Sequence, residues 1–179
     1  MISLCVTRRV AVVAVTAATV ACLAGAASAQ APTDPLAPFG WLRQLAGSCW
    51  RGEYANTRTA DKQCYEWQYG RFLRGTIELT GVQGEGATPM DLRGDSVWAW
   101  DAARGRLQLT TWASNGTLSP GEAVFDGDVL RVTMGRGESA ATMRTTWQRL
   151  DADAYLVRRE RRDGETWREI LVVRYARVK

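Results

Sequence analysis

From Cys49 to Lys179 apolar and polar residues alternate in short runs, and glycine, asparagine and aspartate punctuate the gaps between them. Alternation with a period of two over four to eight residues is the mark of a half-buried strand. The runs are Cys49–Ala55, Cys64–Tyr69, Arg71–Thr80, Ser96–Trp100, Arg106–Trp112, Gly121–Phe125, Asp128–Met134, Thr142–Leu150, Ala154–Arg161 and Thr166–Val178. Arg71–Thr80 is the clearest: Leu73, Ile77 and Leu79 face one way, Arg74, Thr76, Glu78 and Thr80 the other. No segment keeps a period of 3.6 long enough for a long helix. So many short strands predict an all-β fold, an antiparallel up-and-down barrel of about ten strands.

Ahead of these runs, Trp41, Leu42 and Leu45 share a helical face and Gly47 is a helix stop. Phe39 to Gly47 is therefore expected to form a short helix or 3₁₀ turn that plugs one barrel end. Gly81 to Gly94, with Gly84, Gly86 and Pro89, reads as the longest strand-free loop and a flap over one mouth.

Two Asp-Gly pairs carry register. Asp126-Gly127 as a two-residue turn sets Val124 opposite Val129 and Glu122 opposite Arg131, and leaves Ala123, Phe125, Leu130 and Val132 on the core face. Asp163-Gly164 treated the same way sets Arg158 opposite Glu169, Glu160 opposite Trp167 and Leu156 opposite Leu171. Its second face carries Arg159 across from Arg168, flanked by Arg161 and Arg174. Opposed like charges are unfavourable and burying them is worse, so that face is expected to look outward. Leu156, Trp167, Leu171 and Val173 then point inward with an Arg158–Glu169 pair, which belongs in a wet lumen or at the open rim.

The first residues read as an address rather than as fold. Arg8 and Arg9 precede an apolar stretch, Val10 to Leu23, and Ala27-Ser28-Ala29 fits a small-residue cleavage site. Residues 1–29 are thus expected to be a cleaved signal peptide, 30–38 an extended leader and 39–179 the barrel domain. The protein is expected to be exported, periplasmic or secreted, without a transmembrane anchor. Lipidation at Cys22 is the lesser alternative, because Thr19 stands where a lipoprotein box has a larger aliphatic residue.

Composition narrows the picture. The formal charge of +4 falls to +2 once Arg8 and Arg9 leave, and the remaining arginines are interleaved with nineteen acids. No basic stripe of the kind that tracks nucleic acid stands out. Of the four cysteines, Cys5 and Cys22 depart with the signal, and Cys49 and Cys64 remain on the first two strands. In an oxidising compartment one disulfide between them is expected, stabilising by about 3 kcal/mol in the chain-entropy view.

Leu45-Ala46-Gly47-Ser48-Cys49-Trp50-Arg51-Gly52 resembles the Gly-x-Trp opening of lipocalin-like (calycin) barrels, with one extra residue between Gly47 and Trp50. Tyr69-Gly70-Arg71-Phe72-Leu73-Arg74-Gly75, then Trp98-Ala99-Trp100-Asp101 and a closing Val173-Arg174-Tyr175-Ala176-Arg177, resemble secreted bacterial barrels of a family of unknown function. The resemblance implies that Trp50 packs against Arg174 or Arg177 from the last strand and closes the barrel bottom. Related haem-binding barrels use a histidine ligand. This chain has no histidine, so haem held that way is not expected.

The same lack removes Ser-His-Asp and Cys-His catalysis and histidine zinc sites. No metal, cofactor or catalytic residue is expected. What stands out is eight tryptophans, all after residue 40. They imply an aromatic-lined pocket for a small hydrophobic or aromatic ligand, lined by Trp67, Trp100, Trp112, Trp147, Leu156, Arg158, Trp167 and Glu169. Met143 and Trp147 share an inward face, while the inward side of Val97–Asp101 stays open. Two alternatives stand beside non-enzymatic binding. One is an envelope protein that meets a protein partner through an Arg-rich outer face. The other is a barrel isomerase or cyclase that turns over a confined substrate with help from Glu169.

Overall fold

The computed structural model describes residues 34–55, 58–81, 88–135 and 142–179. The expected signal segment, the lipidation alternative at Cys22 and the start of the leader lie outside them. Ten strands follow one another: β1 (Ser48–Glu53), β2 (Thr59–Gln68), β3 (Phe72–Gly81), β4 (Met90–Asp101), β5 (Arg106–Ala113), β6 (Leu118–Asp126), β7 (Val129–Met134), β8 (Met143–Arg149), β9 (Ala154–Asp163) and β10 (Thr166–Arg177). Each pairs antiparallel with its neighbours in sequence, and β10 returns to β1 to close the barrel. Closure leaves no open sheet edge, which is how an all-β chain avoids edge-to-edge association. No described helix is long and apolar enough to cross a membrane.

Before β1 runs a 3₁₀ segment, Ala37–Leu45, that buries Phe39, Trp41, Leu42 and Leu45. It seats on one barrel end. Phe39 meets Trp67 edge-on at 4.9 Å, and Trp41 lies against both Phe125 and Tyr155. Trp50, on β1, is fully buried beside Tyr155, and its indole N–H donates to the Leu45 carbonyl at 3.2 Å. The Arg177 guanidinium lies 4.7 Å from the Trp50 ring, donates to the Ser48 hydroxyl and the Gln44 carbonyl, and pairs with Asp153. Arg177 is thus the last-strand arginine over Trp50. Arg174, one of the two arginines expected there, alternates to the outside and pairs with Glu53 at 2.9 Å. Cys49 and Cys64 are register partners on β1 and β2 and are joined by a disulfide.

The strand count and the inward set Leu73, Ile77 and Leu79 follow the alternation. β2 begins at Thr59, five residues ahead of the expected Cys64, so Asp61 and Gln63 lie on a strand. Three further features differ from expectation. First, β4 begins at Met90, eleven residues before Asp101, so the loop expected to reach Gly94 stops by Pro89. Cross-strand pairing of Asp91–Gly94 with Glu78–Thr80 and Ile77 overrides their weak local strand propensity. Second, both Asp-Gly turns sit one residue later than expected. Asp126 pairs with Val129 and Asp163 with Thr166, so the two-residue loops are Gly127-Asp128 and Gly164-Glu165. Only the glycine of each loop has positive φ, +61° and +60°, which suits a type II′ turn with glycine first.

The third difference has larger consequences. On the β9–β10 ladder, Glu169 pairs with Glu160 and Leu171 with Arg159, so Ile170 is an extra residue in a β-bulge. A bulge inverts facing beyond it. Leu171 and Val173 do point inward, but Leu156, Arg158, Trp167 and Glu169 fall on the outer face. Arg159 points in. The expected Arg-rich outer face is therefore split: Arg161 pairs with Arg168 rather than Arg159 with Arg168, and both follow the inward parity at the mouth.

Candidate functional site

Alternation delivers a layered interior. The layer nearest the 3₁₀ segment holds Trp50, Leu73, Trp98, Leu107, Leu130 and Tyr155, none more than 1% exposed, and it is solid. Farther along, toward the end where β9 turns into β10, the inward residues no longer meet across the barrel. They enclose a cavity of about 330 Å³. Its apolar wall includes Ile77, Leu79, Leu92, Leu109, Val132 and Val157, with Trp98 and Trp147 edge-on to each other, 5.4 Å apart. Trp147 continues into a stack with Tyr155 and then Tyr175, at 5.5 and 4.8 Å. Tyr155 and Tyr175 are direct register partners, and Trp147, which pairs with Val157, is the diagonal neighbour of Tyr155 on the same face.

A polar patch adjoins this wall at the β2–β1–β10 seam, where Asp61 and Gln63 are the register partners of Leu79 and Ile77. Asp61 is 4% exposed and lines the cavity. Its Oδ2 accepts hydrogen bonds from the hydroxyls of Tyr54 at 2.8 Å and Tyr175 at 2.5 Å. Gln63 reaches Oδ1 only at 3.4 Å and donates better to the Tyr175 hydroxyl oxygen, at 2.8 Å. Tyr65 in turn donates to the Gln63 carbonyl oxygen at 2.6 Å. Two glycines make room for this patch. A Cβ on Gly52 would stand about 3 Å from Val173, Asp61 and Tyr54, and one on Gly75 would meet the Tyr65 ring at 2.7 Å. Both positions let an aromatic ring lie flat against the barrel.

Burial raises the ionisation of the Tyr65, Tyr155 and Tyr175 hydroxyls above the ordinary tyrosine value, and the neighbouring Asp61 carboxylate adds to the rise. All three therefore remain protonated throughout the physiological range. The Trp98 indole N–H is buried without a partner. Ser96, Thr111 and Thr145 add hydroxyls to the lining, and Arg159 completes it at the exposed end.

Of the residues expected to line a pocket, Trp147 borders the cavity. Trp100 faces inward but packs at the closed end, as does Trp67 against Phe39. Trp112 is on the outer face, 40% exposed. Trp167 is also outside, with the Arg144 guanidinium 4.5 Å from its ring, and Arg158 and Glu169 form an exposed ion pair at 2.8 Å. Leu156 pairs with Arg174 on that same outer face. The residues that sequence reasoning passed over are Asp61, Gln63, Tyr65, Tyr54 and Tyr175. Their signal was available: Asp61, Gln63 and Tyr65 alternate on one strand face, as polar-inward residues do around a wet cavity.

No protein-family model matches the chain, and no curated protein does. Among solved structures, the crystal structure of Rv2717c from M. tuberculosis is similar, with a TM-score of 0.51 at 16% sequence identity. The match covers 81% of this chain and 98% of that one. At that identity the likeness is one of fold.

Proposed function

We propose that this protein is an exported, lipocalin-like barrel that holds a small hydrophobic or aromatic molecule in its lumen and performs no reaction on it. The observation that carries the reading is the unfilled interior. A cavity of about 330 Å³ with two tryptophans in its wall falls within the range of roughly 300–1,000 Å³ typical of small-molecule sites. A barrel needing only stability would fill that space, since close packing is the rule and empty lining forfeits contacts. The Cys49–Cys64 disulfide suits an oxidising compartment, which supports export.

The test is binding of N-phenyl-1-naphthylamine, an uncharged apolar fluorophore, followed by its emission and by quenching of protein tryptophan. Saturable micromolar binding is expected, and Leu92→Trp, which fills the lumen from β4, should abolish it. Native mass spectrometry of protein isolated from its own cells should show a retained small molecule. No saturable binding, together with bare protein mass, would overturn the reading.

A further inference from the structure

The reading of the lumen as a binding site can be carried to the chemistry of the ligand, and the inference rests on that reading. We infer that the cavity selects a small organic cation: a protonated amine whose ammonium group meets Asp61 and whose apolar or planar body lies against Trp98 and Trp147.

Asp61 places a carboxylate in the interior, 4% exposed. None of the ion pairs among the described residues includes it. A buried charge is ordinarily paired with an opposite one. Here its surroundings are neutral hydroxyls, and they all point one way. Tyr65 donates to Gln63, Gln63 to Tyr175, and Tyr175 and Tyr54 to Asp61. The protons of that chain are spent on one another and on the carboxylate. The acceptor left with least is Oδ1 of Asp61, on a residue that lines the cavity and held only by the long contact to Gln63.

An acceptor-rich wall calls for a donor, and the one that also neutralises the charge is a cation. The rest of the lining agrees. Tyr54, Tyr65, Tyr175, Trp98 and Trp147 all border the same cavity, and aromatic faces attract ammonium groups. The size also fits, because the volume lies at the low end for small-molecule sites.

Among the described lining residues the opposing charge is Arg159, with Arg161 and Arg168 inward-phased and exposed beyond it. It is exposed at the mouth, where water and salt screen it, whereas Asp61 acts from a buried wall where they do not. The buried charge therefore decides which ligands bind.

The experiment compares three probes of one shape by calorimetry: 3-phenylpropylammonium, 3-phenylpropan-1-ol and 3-phenylpropanoate. The wild-type protein should bind the ammonium at least about tenfold more tightly than the alcohol and the alcohol more tightly than the carboxylate. In Asp61→Asn the ammonium should fall to the level of the alcohol, whose own affinity changes by less than about threefold. If that variant does not fold, a crystal structure of the wild-type complex replaces it, with the ammonium nitrogen within about 3.2 Å of the Asp61 carboxylate. The inference is overturned if the carboxylate binds best, if the preference survives in Asp61→Asn, or if the ammonium sits elsewhere. It is also overturned if none of the three binds while N-phenyl-1-naphthylamine does, an outcome that leaves the lumen a binding site. Failure of all four probes instead overturns the broader reading on which it rests.

Discussion

At the end of the barrel next to the 3₁₀ segment, side chains from the strands and from Phe39, Leu42 and Leu45 meet with no exposed surface. At the end where β9 turns into β10, the same alternation of inward residues encloses space, a buried carboxylate and a mouth carrying three inward-phased arginines, Arg159, Arg161 and Arg168. Both ends use the same ladder and the same pleat. They differ in what stands at the centre. One end receives a plug from outside the sheet, and the other has a run of tyrosines and glycines whose rings fold against the wall. The difference separates two tasks. Burial at the plugged end drives folding, and this allows the far end to keep the unfilled volume and the interior charge that folding alone would remove.

The sharpest way to break that division is to truncate one residue at each end. Trp50→Ala removes a fully buried ring that touches Tyr155 and carries the Arg177 contact. A loss of about 3–5 kcal/mol is expected, the usual cost of truncating a large buried aromatic. Leu79→Ala, on a partly buried residue that already borders the cavity, is expected to cost only about 1–2 kcal/mol, because the side chain forfeits fewer contacts. Urea unfolding of the two variants checks the pair. Equal losses would mean that the two ends share the work of folding.

The disulfide belongs to the plugged end by position, one residue before Trp50. Its span of 15 residues places its contribution near 3 kcal/mol in the chain-entropy picture. Replacing Cys49 and Cys64 together by serine should lower stability by about 2–4 kcal/mol. Probe affinity at the far end should stay within about twofold, since the bond acts chiefly on the unfolded chain. Calorimetry on the paired variant measures both quantities. A large loss of binding with little loss of stability would tie the cavity to the β1–β2 seam and erase the separation.

The plugged end was readable from the chain because its cues are local. Trp41, Leu42 and Leu45 form a face within one turn, and period-two runs identify strands without knowledge of partners. The open end depends on events that leave no local trace. The insertion of Ile170 is one residue in a run that alternates equally well in either phase, so Leu156 and Arg158 were expected inside and Arg159 outside. The Gly-first turns moved both hairpins by one residue, yet the β6–β7 core face survived because a shift of one on each strand preserves parity. The tyrosine wall escaped for a different reason. Asp61 and Gln63 lie ahead of Cys64, in the gap between the first two expected strands, so no inward phase was assigned to them, and the pocket was placed instead on the tryptophans, of which Trp67, Trp100, Trp112 and Trp167 lie at the closed end or on the outer face.

The smallest expected effect lies outside both ends, on the outer face of β8–β10. Glu160 accepts two bonds from Arg144, at 2.5 and 2.9 Å, and the same guanidinium covers Trp167. The hydrogen bonds from Arg144 hold the Glu160 carboxyl below the ordinary glutamate value. A carboxyl lowered in the folded state adds stability above its unfolded pKa, and that stability is lost as the pH falls through the folded value. Arg144 is about half exposed, so solvent limits the pair to about 0.5 kcal/mol. Glu160→Gln should therefore cost about that much at neutral pH and progressively less in acid. It should also cost less in 1 M salt. Thermal unfolding across pH is the measurement. A deficit that persists in acid would show that the loss comes from packing around Trp167 rather than from charge, and that the outer face helps hold the mouth in shape.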